Sequence, residues 1–379
     1  MATLTGRTLI TAIGTIVHPV ITVSEHGLIE DISTDVSIRS EAVLTPTFLD
    51  VHIHGAAGCD VMNSSPIELS RIQRFLASRG TGHYLPTTVT AKVDDTLRTL
   101  EALADAIERQ TPGNEAEPVG IHLEGPFLSH AKRGVHSADL LQRPSVDLFD
   151  RFQQAGRGHI KLLTIAPEVD GALELIAHAK SIGVKSSMGH TNATAAEAAA
   201  AIEAGASSAT HTFNAMRALD HREPGIVGTV LDRPDLYADL ICDGIHVAPV
   251  LVRLWLKVKG ERAILITDGI SATGMPDGEY HLGPLAVMVR EGRCTLTGAP
   301  DTLAGSVLTL DRAVANLRAF TGCSLEQAVR CASSQPAAML GMGDSIASLR
   351  VGQPANFNRY SASGVLEATY LRGRRVLPD

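Results

Sequence analysis

The sequence predicts an α/β fold, a (β/α)8 TIM-like barrel with a small β-sandwich domain made from both chain ends. Three observations carry this reading. Short apolar strand patterns alternate with helical patterns across residues 46–346. Polar residues recur at the C-terminal ends of those strands, where a barrel gathers its reactive groups. Residues 1–45 and 347–379 instead alternate short β-branched runs with turns and lack helical periodicity. Either end alone is too small to hold a core, so the two are expected to pair beside the barrel.

The elements follow in order. The first strand covers 48–54, with helical spacing over 66–79 behind it. A strand at 83–88 leads into a long helix at 94–110. Strands at 120–125 and 160–168 come next, with helical stretches near 144–155 and 170–182. The fifth strand, 184–190, precedes a helix that starts at the Thr194/Glu197 capping box and stops at Gly205. Strands at 208–214, 237–244 and 263–269 complete the set, with 250–259 helical between the last two.

Composition narrows the function. The 379 residues are 44% hydrophobic and 20% charged, which fits a soluble globule with a full core. A formal net charge of -8 argues against a general nucleic-acid binder, whose phosphate contacts need a basic field. No apolar stretch reaches the length of a membrane span. The run from Leu9 to Val17 is broken by threonine and glycine, and reads as strand–turn–strand rather than a signal segment. Cys59, Cys242, Cys294, Cys323 and Cys331 are odd in number and scattered, with no CxxC pair. They make neither a disulfide framework nor a zinc ribbon, so a reducing cytoplasm is expected.

The chemistry lies at the strand ends. The first strand ends His52-Ile53-His54, and alternation puts both imidazoles on the barrel-interior face. The third ends His122-Leu123-Glu124, where a glutamate in an apolar strand must be paired or ligate a cation. His122 reads as a packed, hydrogen-bonded core histidine. The fifth, sixth and eighth strands deliver His190, His211 and Asp268. Together His52, His54, Glu124, His190, His211 and Asp268 form a nitrogen and oxygen set without thiolate, suited to Zn, Fe, Mn or Co in a water-open catalytic site.

These residues, with the motifs HLEGPF, MGHTNAT, THTFNAM, REPGIVG, DGIHV, ITDG and TLAGS, resemble the N-acetylglucosamine-6-phosphate deacetylase family of the amidohydrolase superfamily over nearly the whole chain. The resemblance implies one metal on Glu124, His190 and His211. It implies a second on His52, His54 and Asp268, with Glu124 bridging; because the HxH pair is kept, two ions are favoured. It implies metal-dependent hydrolysis of N-acetyl-D-glucosamine 6-phosphate to D-glucosamine 6-phosphate and acetate. Asp268 would take a proton from water and deliver it to the departing amine. A metal or His136 would support the acetyl oxygen as it turns negative. On the same ground Val135, His136, Asn214, Ala215, Arg222, His246, Leu303, Ala304 and Gly305 are expected to contact substrate. Arg222 and His246 would hold the phosphate with help from the Asn214 and Ala215 backbone. A homodimer sharing the phosphate pocket is also implied.

Alternatives stay open. The N-acetylgalactosamine 6-phosphate reaction differs only at the C4 hydroxyl. A cyclic amidase would need a carbamylated lysine on strand four, and Lys161 sits at the wrong end of it. His136 could be a solvated loop residue and Arg222 a surface partner of Glu223. Two departures from the family pattern are Gly269, expected to loosen the turn after Asp268, and Asn356, in the C-terminal β region.

Overall fold

The computed structural model describes residues 2–110 and 113–377; Met1, Pro378 and Asp379, at the outer limits of the expected end domain, lie outside them. Eight strands run parallel in chain order: β1 (Phe48–Ile53), β2 (Thr81–Thr88), β3 (Ile121–Glu124), β4 (Ile160–Ile165), β5 (Lys185–Met188), β6 (Ser208–Ala209), β7 (Tyr237–Ile241) and β8 (Ala263–Ile266). Each pairs with the next, from β1 on β2 to β7 on β8. The seam between β8 and β1 is drawn together by a parallel bridge, Ile53 to Gly269, and by the Asp268 N–H donating to the His52 carbonyl at 2.9 Å. Asp50 ties it further, accepting from the Thr267 hydroxyl at 2.6 Å. The barrel is nearly closed, as predicted.

The helices expected behind the strands form at Pro66–Ser78, Val93–Arg109, Val146–Ala155, Ala172–Ser181, Ala195–Ala204 and Pro249–Lys259. The capping box at Thr194 and Glu197 is present and Gly205 ends its helix in a positive-φ conformation (129°). The helix Gly225–Asp232 was not anticipated, because two glycines and a β-branched run hide its periodicity. A four-stranded antiparallel sheet, Gly278–Leu282, Leu285–Arg290, Arg293–Leu296 and Ala299–Leu303, is inserted after β8 and was also missed. Helices Leu310–Thr321, Leu325–Ala332 and Ser334–Met339 follow it.

Several strands stop short of their predicted ends. β5, β6 and β8 end at Met188, Ala209 and Ile266, where the sequence suggested continuation to 190, 214 and 269. The cause is local. His190, His211 and Asp268 take left-handed backbone conformations, with φ of 47°, 33° and 51°, so the chain leaves the ladder at the residues that face the rim.

The chain ends interleave. One sheet runs Arg374–Arg375, Leu366–Leu371, Phe357–Tyr360, Val43–Pro46, Thr8–Thr11, Gly14–Val17, mixing both termini. A second sheet holds Ala2–Thr5, Pro19–Val23 and Ile29–Thr34. Between them Leu9, Ile21, Val23, Ile29, Leu44, Leu349, Ala355 and Phe357 make a core separate from the barrel's. Asn356 joins this region through its side-chain oxygen, which accepts from the Arg372 N–H at 2.8 Å. Among the described residues no helix is long and apolar enough to cross a membrane. Because Phe357 is fully buried in the smaller core, Phe357→Ala should cost about 3–5 kcal/mol, read as a lowered urea midpoint.

Candidate metal centre and active-site cavity

At the C-terminal mouth of the barrel the six predicted side chains converge. Glu124 stands at the centre and turns one carboxylate oxygen to each side. Its Oε1 lies 3.4 Å from His190 Nε2 and 3.3 Å from His211 Nε2. Its Oε2 lies 3.4 Å from His52 Nε2 and 3.2 Å from His54 Nε2. The two histidines of each pair face each other, at 3.1 Å for His190 and His211 and 3.2 Å for His52 and His54. Asp268 Oδ1 adds a further oxygen beside the HxH pair, 3.4 Å from His52 and 3.2 Å from His54.

This arrangement fits a cation. Ligands about 2.0–2.1 Å from a tetrahedral ion are separated by roughly 3.3–3.4 Å, close to the spacings seen in both triads. Glu124 Oε1 is buried without a hydrogen bond, a costly condition for a carboxylate unless a positive charge supplies the missing partner. Ring protons are also directed outward. His54 Nδ1–H donates to the Thr87 carbonyl at 3.1 Å, and His190 Nδ1–H to the Lys132 carbonyl at 3.0 Å. A carbonyl only accepts, so Nδ1 carries a proton in each of these rings and Nε2 is the nitrogen turned to the centre, the atom that would ligate an ion.

The electrostatics agree. Burial would raise the Glu124 carboxyl, but His52, His190 and His211 outweigh it and hold it well below the usual carboxylate range. Burial opposes charge on His54, yet Asp268 and Glu124 lift it to about 10. His211 rises to about 9 against the same opposition, chiefly through Glu124. Asp268 is raised by burial and lowered more strongly by His52 and His54, to about 2. Imidazoles and carboxylates thus stabilise one another's charged forms, and a cation would take the place of the histidine protons.

The cavity above them encloses about 360 Å³. His136, Val135, Asn214, Ala215, His246, Leu303 and Gly305, all predicted to touch substrate, line it together with His54, Glu124, His190, His211 and Asp268. Ala304 is buried behind Leu303 and Gly305. His136 is not a solvated loop residue. Its Nδ1 accepts from the Thr90 N–H at 3.3 Å and lies 2.8 Å from the Thr90 hydroxyl. The proton therefore sits on Nε2, and burial with His190 nearby depresses the ring to about 3, keeping it neutral. His246 is held by Asp243, whose Oδ2 lies 2.6 Å from its Nδ1.

Other expectations change. The Asn214 N–H donates to the His211 carbonyl at 2.9 Å and its side-chain amide to the same carbonyl at 3.3 Å, so the expected backbone donor is already engaged. Arg222 is exposed and does not line the cavity. It does not pair with Glu223, whose carboxylate accepts the Ala195 and Gly225 N–H groups instead. Gly269 is pinned rather than loose: its carbonyl accepts from His54 N–H at 2.8 Å and Gly55 N–H at 3.0 Å. Cys59 is a buried thiol whose pKa burial raises. His122 is the satisfied core histidine expected, between the Val51 carbonyl and Thr164. Lys161 is engaged at the far end of β4, on the Gly158 carbonyl.

Three supporting acids escaped the sequence reading. Asp239, in β7, accepts from the His211 N–H and is pushed up to about 7 by burial. Glu168 takes the Asn192 N–H at 2.6 Å and so fixes the turn after His190. Asp301, on the inserted sheet, lines the cavity. An aspartate in the apolar run Tyr237-Ala238-Asp239-Leu240-Ile241 carries the same signal as Glu124.

Comparison with known proteins agrees with this geometry. The amidohydrolase family profile matches residues 43–376. An N-acetylglucosamine-6-phosphate deacetylase of Bacillus subtilis (strain 168) is 38% identical over 93% of this chain and 89% of its own. An N-acetylgalactosamine-6-phosphate deacetylase of Escherichia coli O157:H7 is 36% identical over 91% of each. Among solved structures, a Mycobacterium smegmatis N-acetyl-D-glucosamine-6-phosphate deacetylase, a point mutant in complex with N-acetyl-D-glucosamine-6-phosphate, superposes with a TM-score of 0.92 at 33% identity, covering 99% of both chains. The Thermotoga maritima N-acetylglucosamine-6-phosphate deacetylase gives 0.90 at 32% identity over 100% of both. With its glutamate shared between two histidine pairs and near full-length relatives on every side, the chain belongs to the amidohydrolase family, and within it to the N-acetylglucosamine-6-phosphate deacetylases.

Proposed function

We propose that this chain hydrolyses the acetamide of N-acetyl-D-glucosamine 6-phosphate, giving D-glucosamine 6-phosphate and acetate, with two divalent ions in the Glu124-centred site. The observation that carries the reading is Glu124 itself, one oxygen toward each histidine pair at the floor of a cavity that also holds Asp268 and His136. Glu124, His190 and His211 would hold one ion; His52, His54 and Asp268 the other, with Glu124 between. Such ions acidify a water and polarise the acyl oxygen.

The protein's own groups do the rest. Asp268, ionised at neutral pH, accepts the proton of the attacking water and hands it to the departing amine nitrogen, which could not leave as an anion. His136, neutral with its proton on Nε2, donates toward the acetyl oxygen as charge develops there. His246, aimed by Asp243, and Asn214 sit where the phosphate end would lie.

Arg222 is assigned to the phosphate of a neighbouring subunit's substrate, in a homodimer. Two features support this. Its guanidinium is exposed outside its own cavity. The helix Pro249–Lys259 leaves Val250, Leu251, Leu254 and Val258 exposed along one side, near-continuous in sequence with exposed Ile245 beside His246. All five cysteines are free thiols, in keeping with a cytoplasmic enzyme. The galacto epimer is the second reading, because the Escherichia coli relative named for it is nearly as similar as the Bacillus one.

Purified protein supplied with divalent metal should release acetate from the gluco substrate, and parallel kcat/KM on both epimers ranks the two readings. Asp268→Asn should lower kcat by about 100-fold or more, the scale of a lost acid–base group. Glu124→Ala should strip both ions in elemental analysis, whereas His54→Ala should strip one. Arg222→Ala should raise KM with little change in kcat, and Arg222→Lys should not restore it, since lysine cannot grip a phosphate bidentately.

A further inference from the structure

Beneath the metal-facing side chains the barrel interior carries a hydrogen-bonded layer instead of branched aliphatic residues. Thr210 Oγ1 lies 2.6 Å from Ser187 Oγ and 2.9 Å from Thr164 Oγ1. Strands β4 and β6 are not neighbours in the sheet, so the Thr164–Thr210 contact crosses the interior. The row ends at His122, whose Nε2 lies 2.7 Å from Thr164 Oγ1 and whose Nδ1 lies 3.0 Å from the Val51 carbonyl. That carbonyl can only accept, so the ring proton is on Nδ1 and the Thr164 hydroxyl donates to Nε2. Both edges of the His122 ring are therefore fixed.

His52 is the opposite case. Its Nδ1, like that of His211, is buried and has no hydrogen-bond partner, unlike Nδ1 of His54 and His190. Metal-binding histidines are ordinarily aimed by a hydrogen bond from the other ring nitrogen, and His52 lacks it. Three rings stand against it: His122 edge-to-face at 4.6 Å between centroids and 79° between planes, His54 at 5.1 Å and His211 at 5.6 Å; of these His122 is nearest, and its two nitrogens are both held by groups outside the metal-facing set.

We infer that His122 is a positioning residue for the ion of the HxH pair: its anchored ring, packed edge-to-face on His52, aims His52 Nε2 at Glu124 and Asp268. The inference rests on the two-ion reading above. It bears more directly on one half of the site, because no ring contact joins His122 to His190 or His211 among the described residues, while the His52 ring lies 5.6 Å from that of His211.

The test titrates Co²⁺ into the chelator-stripped full chain, following the visible ligand-field bands and the bound stoichiometry. His122→Asn keeps a donor near the Val51 carbonyl but removes the ring. It should weaken the second Co²⁺ by about 10–100-fold and leave the first at its wild-type affinity. His122→Phe keeps a ring of similar outline and should hold the second Co²⁺ within a few-fold of wild type, even if its thermal midpoint falls. Wild-type binding of both ions by His122→Asn would overturn the inference, as would equal weakening of both. Equal loss of the second ion in His122→Phe would overturn the ring contact as the cause. A single Co²⁺ in the wild-type chain would overturn the two-ion reading and this inference with it, an outcome distinguishable from the others because it is read before any substitution is made.

Discussion

A buried carboxylate oxygen with no hydrogen bond is a large unpaid electrostatic cost, and at Glu124 four imidazoles are arranged around that cost. Removing a charge from water is unfavourable unless an opposite charge is close. The protein answers by pointing His52, His54, His190 and His211 inward, with the outer nitrogens of two of them committed to backbone carbonyls. Four inward Nε2 atoms around a carboxylate make a stable interior only with positive charge among them, from imidazolium protons or from a cation that displaces them. The rim's composition follows from that one requirement.

The backbone bends to the same requirement. Three of the inward groups, His190, His211 and Asp268, are held in left-handed conformations that cost of order 1–3 kcal/mol each. Such strain persists only where the surroundings determine it more than once. Here they do: Glu168 grips the turn after His190, Asp239 the N–H of His211, and the His52 carbonyl the N–H of Asp268. The strands end early so that side chains can be aimed by turns rather than by the two-residue period of a ladder.

Legibility in the sequence tracked how much each residue departs from its surroundings. An acid or histidine at the end of an apolar run is chemically conspicuous, so all six rim residues could be read, and so could the eight-fold alternation that places them. Conformation was less visible. Nothing in the types of His211 and Asp268 announces a positive φ, so the sequence alone predicts longer β6 and β8 than the structure shows. The inserted sheet alternates inward and outward residues over Leu285–Arg290 but follows a loop-like stretch, which hides it within the span predicted for the barrel. Asp239 had the signal and lacked the position, lying within its strand rather than at the end. Arg222 was found through resemblance alone; its place on the surface is a property of packing that its neighbours in sequence do not reveal.

The small sheet that mixes the two termini has a consequence for biosynthesis. Val43–Pro46 emerges from the ribosome early, yet its antiparallel partner Phe357–Tyr360 is made only after the entire barrel. Until then one edge of Val43–Pro46 stays open to any passing β-strand, the kind of exposure that invites aggregation. The nascent chain thus has a period of vulnerability set by translation speed rather than by the stability of the finished fold, and a chaperone that shields early strands would act in that interval.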